Sequence, residues 1–170
     1  MRNTKQDGRK EAQALTLLVV LLCLGMLVVS PGMDNVCLIK NTPWWHRVVY
    51  MFCHANVIHL GMNVWAILYL VFLFRVDIWM LLLAVLSAMV VPDALIGNVP
   101  TVGLSGVVFF ILGGIVNIVS NKYKYLLSNF GFIAMGLVLP HIAWGIHLWC
   151  FLCGLIYAYG KCKVIDKGKR

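Results

Sequence analysis

Apolar residues run through this chain in blocks longer than a soluble core needs, and the polar residues between them fall in short clusters. Six such blocks can be read, over residues 12–30, 48–74, 78–92, 103–120, 125–140 and 145–160. Inside a bilayer only helices and closed barrels satisfy their own backbone, and runs of this length point to helices. The third, fifth and sixth blocks are shorter than the ~20 residues of a full span. The pattern therefore predicts an all-α integral membrane protein, six transmembrane helices in one compact bundle. A tail over 1–11 precedes the membrane domain of 12–160, and a basic tail over 161–170 follows it. No repeat, low-complexity tract or flexible linker interrupts the series.

The cations orient the bundle. Arg2, Lys5, Arg9 and Lys10 precede the first span, Arg75 lies between the second and third, and Lys122 and Lys124 lie between the fourth and fifth. Lys161, Lys163, Lys167, Lys169 and Arg170 follow the last, leaving only Lys40 and Arg47 of fourteen for the other side. The positive-inside rule then places both termini in the cytoplasm, as an even number of spans also requires. With 62% of 170 residues hydrophobic and 12% charged, composition agrees with the class. The net charge of +8 is accounted for by topology and by lipid headgroups, with no nucleic acid as partner. The first span resembles a signal peptide, but Pro31 beside Ser30 and the length of the run favour a retained helix.

Six cysteines make no disulfide framework, since only Cys37 falls clearly in an outer loop. Cys150 and Cys153 read as small packing residues on one helix face. Trp44, Trp45, His46 and Arg47 read as an interfacial anchor beside the second span.

The second span carries His54, His59 and Asn63. Each is costly in a bilayer without a partner or a task. At about 100° per residue, His59 and Asn63 share a face, while His54 points about 140° away from His59. That spacing makes His54 and His59 a poor pair for one metal ion. The fourth span opens with Gly103-Leu104-Ser105-Gly106, where a glycine can turn the backbone and another can admit a neighbouring helix. In the sixth span, His147, Cys150 and Gly154 are three and four apart and share a face, which suits a helix pressed against the fourth. By topology, Ser105, His147, His54, His59 and Asn63 all fall in the outer half of the bilayer. The bland account of such residues is interhelical hydrogen bonding.

Their common depth also allows chemistry. A serine hydroxyl becomes a nucleophile when a base takes its proton, and neutral imidazole is the usual base near pH 7. All six acidic residues fall in tails or loops by this reading, so a Ser105–His147 dyad is expected rather than a triad with a carboxylate. Phe109, one turn beyond the serine, can offer its face to the imidazole. The Ser105 amide, His59 and Asn63 are the candidate oxyanion donors. Hydrolysis further requires a polar opening to water on the outer side.

At these residues the chain resembles the rhomboid family of intramembrane serine proteases, from about residue 45 to 159. The motifs are His54-x4-His59-x3-Asn63, Gly103-x-Ser105-Gly106 and His147-x2-Cys150-x3-Gly154. The approach Pro140-x-Ile142-Ala143-Trp144-x-x-His147 is similar to that of many bacterial members. The resemblance implies Ser105 as nucleophile, His147 as general base, and His59, Asn63 and the Ser105 amide as oxyanion hole. It implies a supporting role for His54, single-span membrane proteins as substrates, a bacterial plasma membrane as location, and neither metal nor other cofactor. Departures from the family pattern are Cys150 for a glycine, Phe109 for a frequent tyrosine, and Phe74-Arg75-Val76-Asp77 for a glycine and glutamate at the inner end of the second span. The first bears on the contact between the fourth and sixth spans, the second loses a hydroxyl but keeps the ring, and the third puts the packing of that end in question.

Two other readings compete. One is a catalytically inactive rhomboid-like binder of membrane helices, which the presence of both Ser105 and His147 disfavours. The other is a metal- or haem-binding six-span protein using His54, His59, His141 and His147, which leaves Ser105 unexplained. For substrate entry, the fifth span is the expected gate.

Overall fold

The computed structural model describes residues 2–74, 76–139 and 142–167, with side chains over 6–74, 76–139 and 142–162. Arg75, Pro140, His141, Lys169 and Arg170 lie outside the described residues, and so do the side chains of Arg2, Lys5, Lys163, Asp166 and Lys167. Among the described residues the regular elements are all helices, joined by turns and short extended stretches. The helices are α1 (Arg2–Val29), α2 (His46–Val49), α3 (Val57–Leu73), α4 (Ile78–Met89), α5 (Ser105–Gly114), α6 (Lys122–Val138) and α7 (Trp144–Lys167). Single 3-10 turns occupy Met33–Asn35, Tyr50–Phe52 and Asp93–Leu95.

Local chemistry sets the helix starts. The Asn56 side chain accepts the His59 amide at 2.8 Å, Asp77 accepts the Met80 amide at 3.0 Å, and Asn121 accepts the Lys124 amide at 3.0 Å. Each satisfies one of the amides left unpaired at a helix N-terminus. The Asn56 cap changes the expected second span. Instead of one helix over 48–74, the chain turns through α2 and a 3-10 turn, extends at Cys53, and restarts at Val57 after a 92° bend.

The fourth span is likewise shorter than expected, since α5 ends at Gly114 and turns follow. Gln6–Val29 is long and apolar enough to cross a bilayer unaided, and the bent pair His46–Phe52 with Val57–Leu73 passes the same test together. Ile78–Met89 and Ser105–Gly114 are apolar and shorter.

The bundle is built around α5. Its most extensive partner is α7, followed by α4, while α1 packs on α3 and α6 rests chiefly on α7. Glycines make the α5–α7 seam possible. A Cβ on Gly113 would lie 2.9 Å from the Leu155 amide nitrogen, and one on Gly154 would lie 2.9 Å from the Gly114 amide nitrogen. Neither leaves room for a methyl group, so the two backbones touch directly. The outside is apolar to match: Val28 is 86% exposed, Trp65 69% and Leu137 65%.

The C-terminal end of α4 is finished by side chains from elsewhere. Trp149 donates to the Ser87 carbonyl at 3.0 Å, Tyr50 donates to the Ala88 carbonyl at 2.9 Å, and Arg47 donates to the Val91 carbonyl at 2.6 Å. Arg47 also pairs with Asp93. The expectation of an interfacial anchor is thus corrected for Arg47, whose guanidinium is spent on carbonyls that α4 itself cannot pair. It is corrected for His46 too, which is buried and donates through Nδ1 to the Cys37 carbonyl at 2.6 Å. Trp44 remains exposed.

At the opposite end of α4, Asp77 joins Lys161 of α7 at 2.8 Å, and Lys161 also reaches the Tyr157 hydroxyl at 3.0 Å. Burial alone would raise the Asp77 carboxyl, but the Lys161 ammonium and the Met80 amide outweigh it and hold the group below the usual carboxylate range. That contact closes the end of the bundle where the departure at Phe74–Asp77 put packing in question.

Candidate active site

Ser105 is the first residue of α5 and follows Gly103, whose φ of +114° is a conformation that suits glycine. Position and conformation have separate causes. The segment before Gly103 is laced to the loop after α1 by an isolated antiparallel bridge, in which Leu38 and Thr101 exchange N–H···O bonds of 2.8 and 3.1 Å. Gly103 itself donates its amide to the Tyr50 carbonyl at 2.9 Å. As the first helical residue, Ser105 has an amide with no partner inside α5, aimed out of the helix end.

His147 lies in the first turn of α7, and its Nε2 is 2.8 Å from Ser105 Oγ. With the hydroxyl donating, Nε2 accepts and the ring proton sits on Nδ1. Nδ1 is buried and has no protein partner among the described residues. Among the described residues, then, no carboxylate touches this imidazole. Phe109 packs on it instead: its ring is stacked on that of His147, centroids 4.3 Å apart and planes 17° from parallel. One turn along, Cys150 is fully buried. A Cβ on Gly106 would come within 3.3 Å of its sulfur, so the thiol fills the space over Gly106 and the seam is closed there.

The second group gathers around Gly103. A Cβ on Gly103 would lie 3.0 Å from His59 Cε1 and 3.6 Å from His54 Cδ2. The two imidazoles meet edge to face with centroids 5.2 Å apart. This corrects the helical-wheel expectation that His54 points away from His59. His54 precedes the Asn56 cap, so it belongs to no common helix with His59 and the wheel does not apply. Among the described residues no three His, Cys, Asp or Glu side chains are placed to hold a metal ion.

Asn63 is buried one turn along α3 from His59, and its Nδ2 donates to the His59 carbonyl at 2.9 Å. One amide hydrogen is thereby used within the helix, leaving the second for another acceptor. Beside the dyad, and separate from it, a cavity of about 260 Å³ opens between Val99–Thr101 and Ile142–Ile146. Ile146, the neighbour of His147, lines it.

Sequence reasoning did not single out Tyr50, nor the Leu38–Thr101 bridge. Neither has a local signal: a tyrosine near an apolar run reads as interfacial, and a two-residue bridge has no periodicity to detect.

A family comparison decides the kinship of this arrangement. The family model of the rhomboid domain matches residues 41–164, most of the chain. The chain belongs to the rhomboid family. Membership makes the helical bundle an integral, multi-pass membrane domain, in a family whose members are mostly serine proteases acting on transmembrane proteins. No curated protein matches the chain. In this rhomboid domain the matched stretch contains the dyad, the His54–His59 pair, Asn63 and the whole glycine seam between α5 and α7.

Proposed function

We propose that this rhomboid protein is a serine endopeptidase that cuts single-span membrane proteins in or near their transmembrane segment. The observation carrying the reading is the 2.8 Å contact between His147 Nε2 and Ser105 Oγ, under a stacked Phe109. In this mechanism His147 removes the hydroxyl proton as Ser105 Oγ attacks the scissile carbonyl. The imidazolium then returns the proton to the departing amine, leaving an acyl-enzyme. Water activated by the same imidazole hydrolyses the ester and frees the new carboxylate.

The oxyanion formed in each half is met by the Ser105 amide at the α5 terminus, by His59 and by Asn63. Each such donor is typically worth ~2.7–4 kcal/mol in the transition state. The imidazole must begin neutral and must hold a fixed plane. In place of a carboxylate, Phe109 sets that plane.

Six spans accommodate this chemistry, made by α1, α3 with its bent approach, α4, α5, α6 and α7, with both termini cytoplasmic. The dyad then opens toward the outer face of a bacterial plasma membrane. No cofactor enters the mechanism. The surrounding partners are the substrate helix and membrane lipid.

The experiment is labelling of purified, detergent-solubilised protein with a fluorophosphonate, comparing wild type with Ser105→Ala and His147→Ala. Labelling of the wild type that vanishes in both variants is expected. A folded wild type that takes no label would favour a non-cleaving binder of membrane helices.

A further inference from the structure

Tyr50 lies outside the dyad and its oxyanion donors, yet it touches both structures that hold them. Its side chain is 1% exposed and packs in the same core as Ala88, Leu104 and Cys150. Its hydroxyl donates to the Ala88 carbonyl at 2.9 Å, at the C-terminal turn of α4. Its own carbonyl accepts the Gly103 amide at 2.9 Å, two residues before Ser105. Gly103 occupies a φ of +114° with His59 directly against its α-carbon. Gly103, two residues before Ser105, is therefore held at its amide by Tyr50 and faces His59 where a side chain would stand.

We infer that Tyr50 is a positioning residue that aims the Ser105 amide at the developing oxyanion, by fixing the 50–103 backbone bond to the end of α4. The role rests on the protease reading above. The backbone acceptor cannot be removed by substitution, but its anchor can. Without the phenolic hydroxyl, the Ala88 carbonyl loses its partner and the chain at Tyr50 loses its tie to α4. The acceptor for Gly103 then drifts, and the Ser105 amide drifts with it. Trp149 supplies a matched control, since its indole caps the adjacent Ser87 carbonyl on the same turn of α4 but has no bond to the Gly103 segment.

The test uses the full chain in detergent and a fluorophosphonate. Ser105 Oγ bonds to phosphorus, the phosphorus–fluorine bond breaks, fluoride leaves and the serine proton passes to His147. The phosphoryl oxygen of the adduct then occupies the oxyanion site, so its 31P resonance reports the hydrogen bonds made to it. Tyr50→Phe is expected to slow labelling by about tenfold or more and to move the 31P resonance of the adduct. Trp149→Phe is expected to lower thermal stability while leaving that resonance in place. Installing 4-aminophenylalanine at position 50, which restores a donor to Ala88, should return both rate and resonance toward wild type.

A Phe variant that labels at the wild-type rate with an unmoved resonance overturns the role, and so does an equal displacement in the Trp149 variant. If the Phe variant does not fold, the aminophenylalanine protein decides. A displaced resonance there overturns the role, and a wild-type resonance supports it. Failure of the folded wild type to label at all sinks the protease reading and this role together, an outcome distinct from the others.

Discussion

Phe109 and His147 lie face to face, 4.3 Å between ring centroids, with no carboxylate on the imidazole's far nitrogen. Stacking of this kind is worth about 0.5–1.5 kcal/mol beyond buried area. Phe109→Ala should therefore lower kcat on a fluorogenic transmembrane substrate by about tenfold, while Phe109→Tyr, which keeps the ring, retains activity. An alanine variant with undiminished kcat would show that α7 backbone packing alone orients the base.

Gly103 combines a positive φ with an imidazole against its α-carbon. Gly103→Ala strains the backbone by about 1–3 kcal/mol and pushes His59 away. Displacement near 1 Å costs about a hundredfold in rate. The variant should fold with a lowered Tm and lose fluorophosphonate labelling to about that extent. Unchanged labelling would mean that the segment tolerates a Cβ without moving Ser105.

Asn63 has one amide hydrogen free beyond its bond to the His59 carbonyl. Asn63→Ala should reduce kcat by about 10²–10³ with little change in KM, as loss of a transition-state donor does. A rise in KM at constant kcat would instead make Asn63 a substrate-binding or packing residue.

The Asp77–Lys161 pair predicts a pH dependence of stability rather than of chemistry. Asp77 is held below its ordinary pKa in the fold, so the unfolded chain takes up that proton first on acidification. Its contribution is present above the ordinary carboxylate pKa and is lost as pH falls through the lowered one. Lys161 is opposed by burial, but Asp77 and the Tyr157 hydroxyl outweigh this and raise its pKa. Its share is therefore present below the ordinary lysine pKa and lost as pH rises through the raised one. Tm measured against pH should fall on the acid side in wild type and fall less in Asp77→Asn. With Lys161 half-exposed the difference is modest, since solvent screens such pairs. Identical acid limbs would remove Asp77 from the account.

Periodicity alone put His59 and Asn63 on one face of a helix and aligned His147, Cys150 and Gly154 toward a neighbouring span, because both groups lie wholly inside regular helices. The same reasoning failed at His54, where Asn56 restarts the chain and brings that imidazole onto His59. Its side chain has to be read as part of a turn, and a helical wheel has no means of saying so. His46 and Arg47 were misread for another reason. Aromatic and basic residues beside an apolar run have an interfacial explanation at hand, whereas their actual acceptors are the carbonyls of Cys37 and Val91, far along the chain. The bridge from Leu38 to Thr101 is a contact of high sequence separation with no repeating pattern, and only the folded chain discloses it.

The glycine seam has a consequence for how this protein can admit anything at all. Gly113 and Gly154 bring α5 and α7 together backbone on backbone, and Ser105 and His147, the proposed nucleophile and base, each stand on one of those two helices. The reacting atoms thus ride on a single stiff body. If α6, which rests chiefly on α7, is the gate that the sequence leads one to expect, its parting leaves this pair and the distance between Ser105 and His147 untouched. On the protease reading proposed above, entry and chemistry are then mechanically decoupled, and a substrate helix need not dismantle the catalytic pair to reach it.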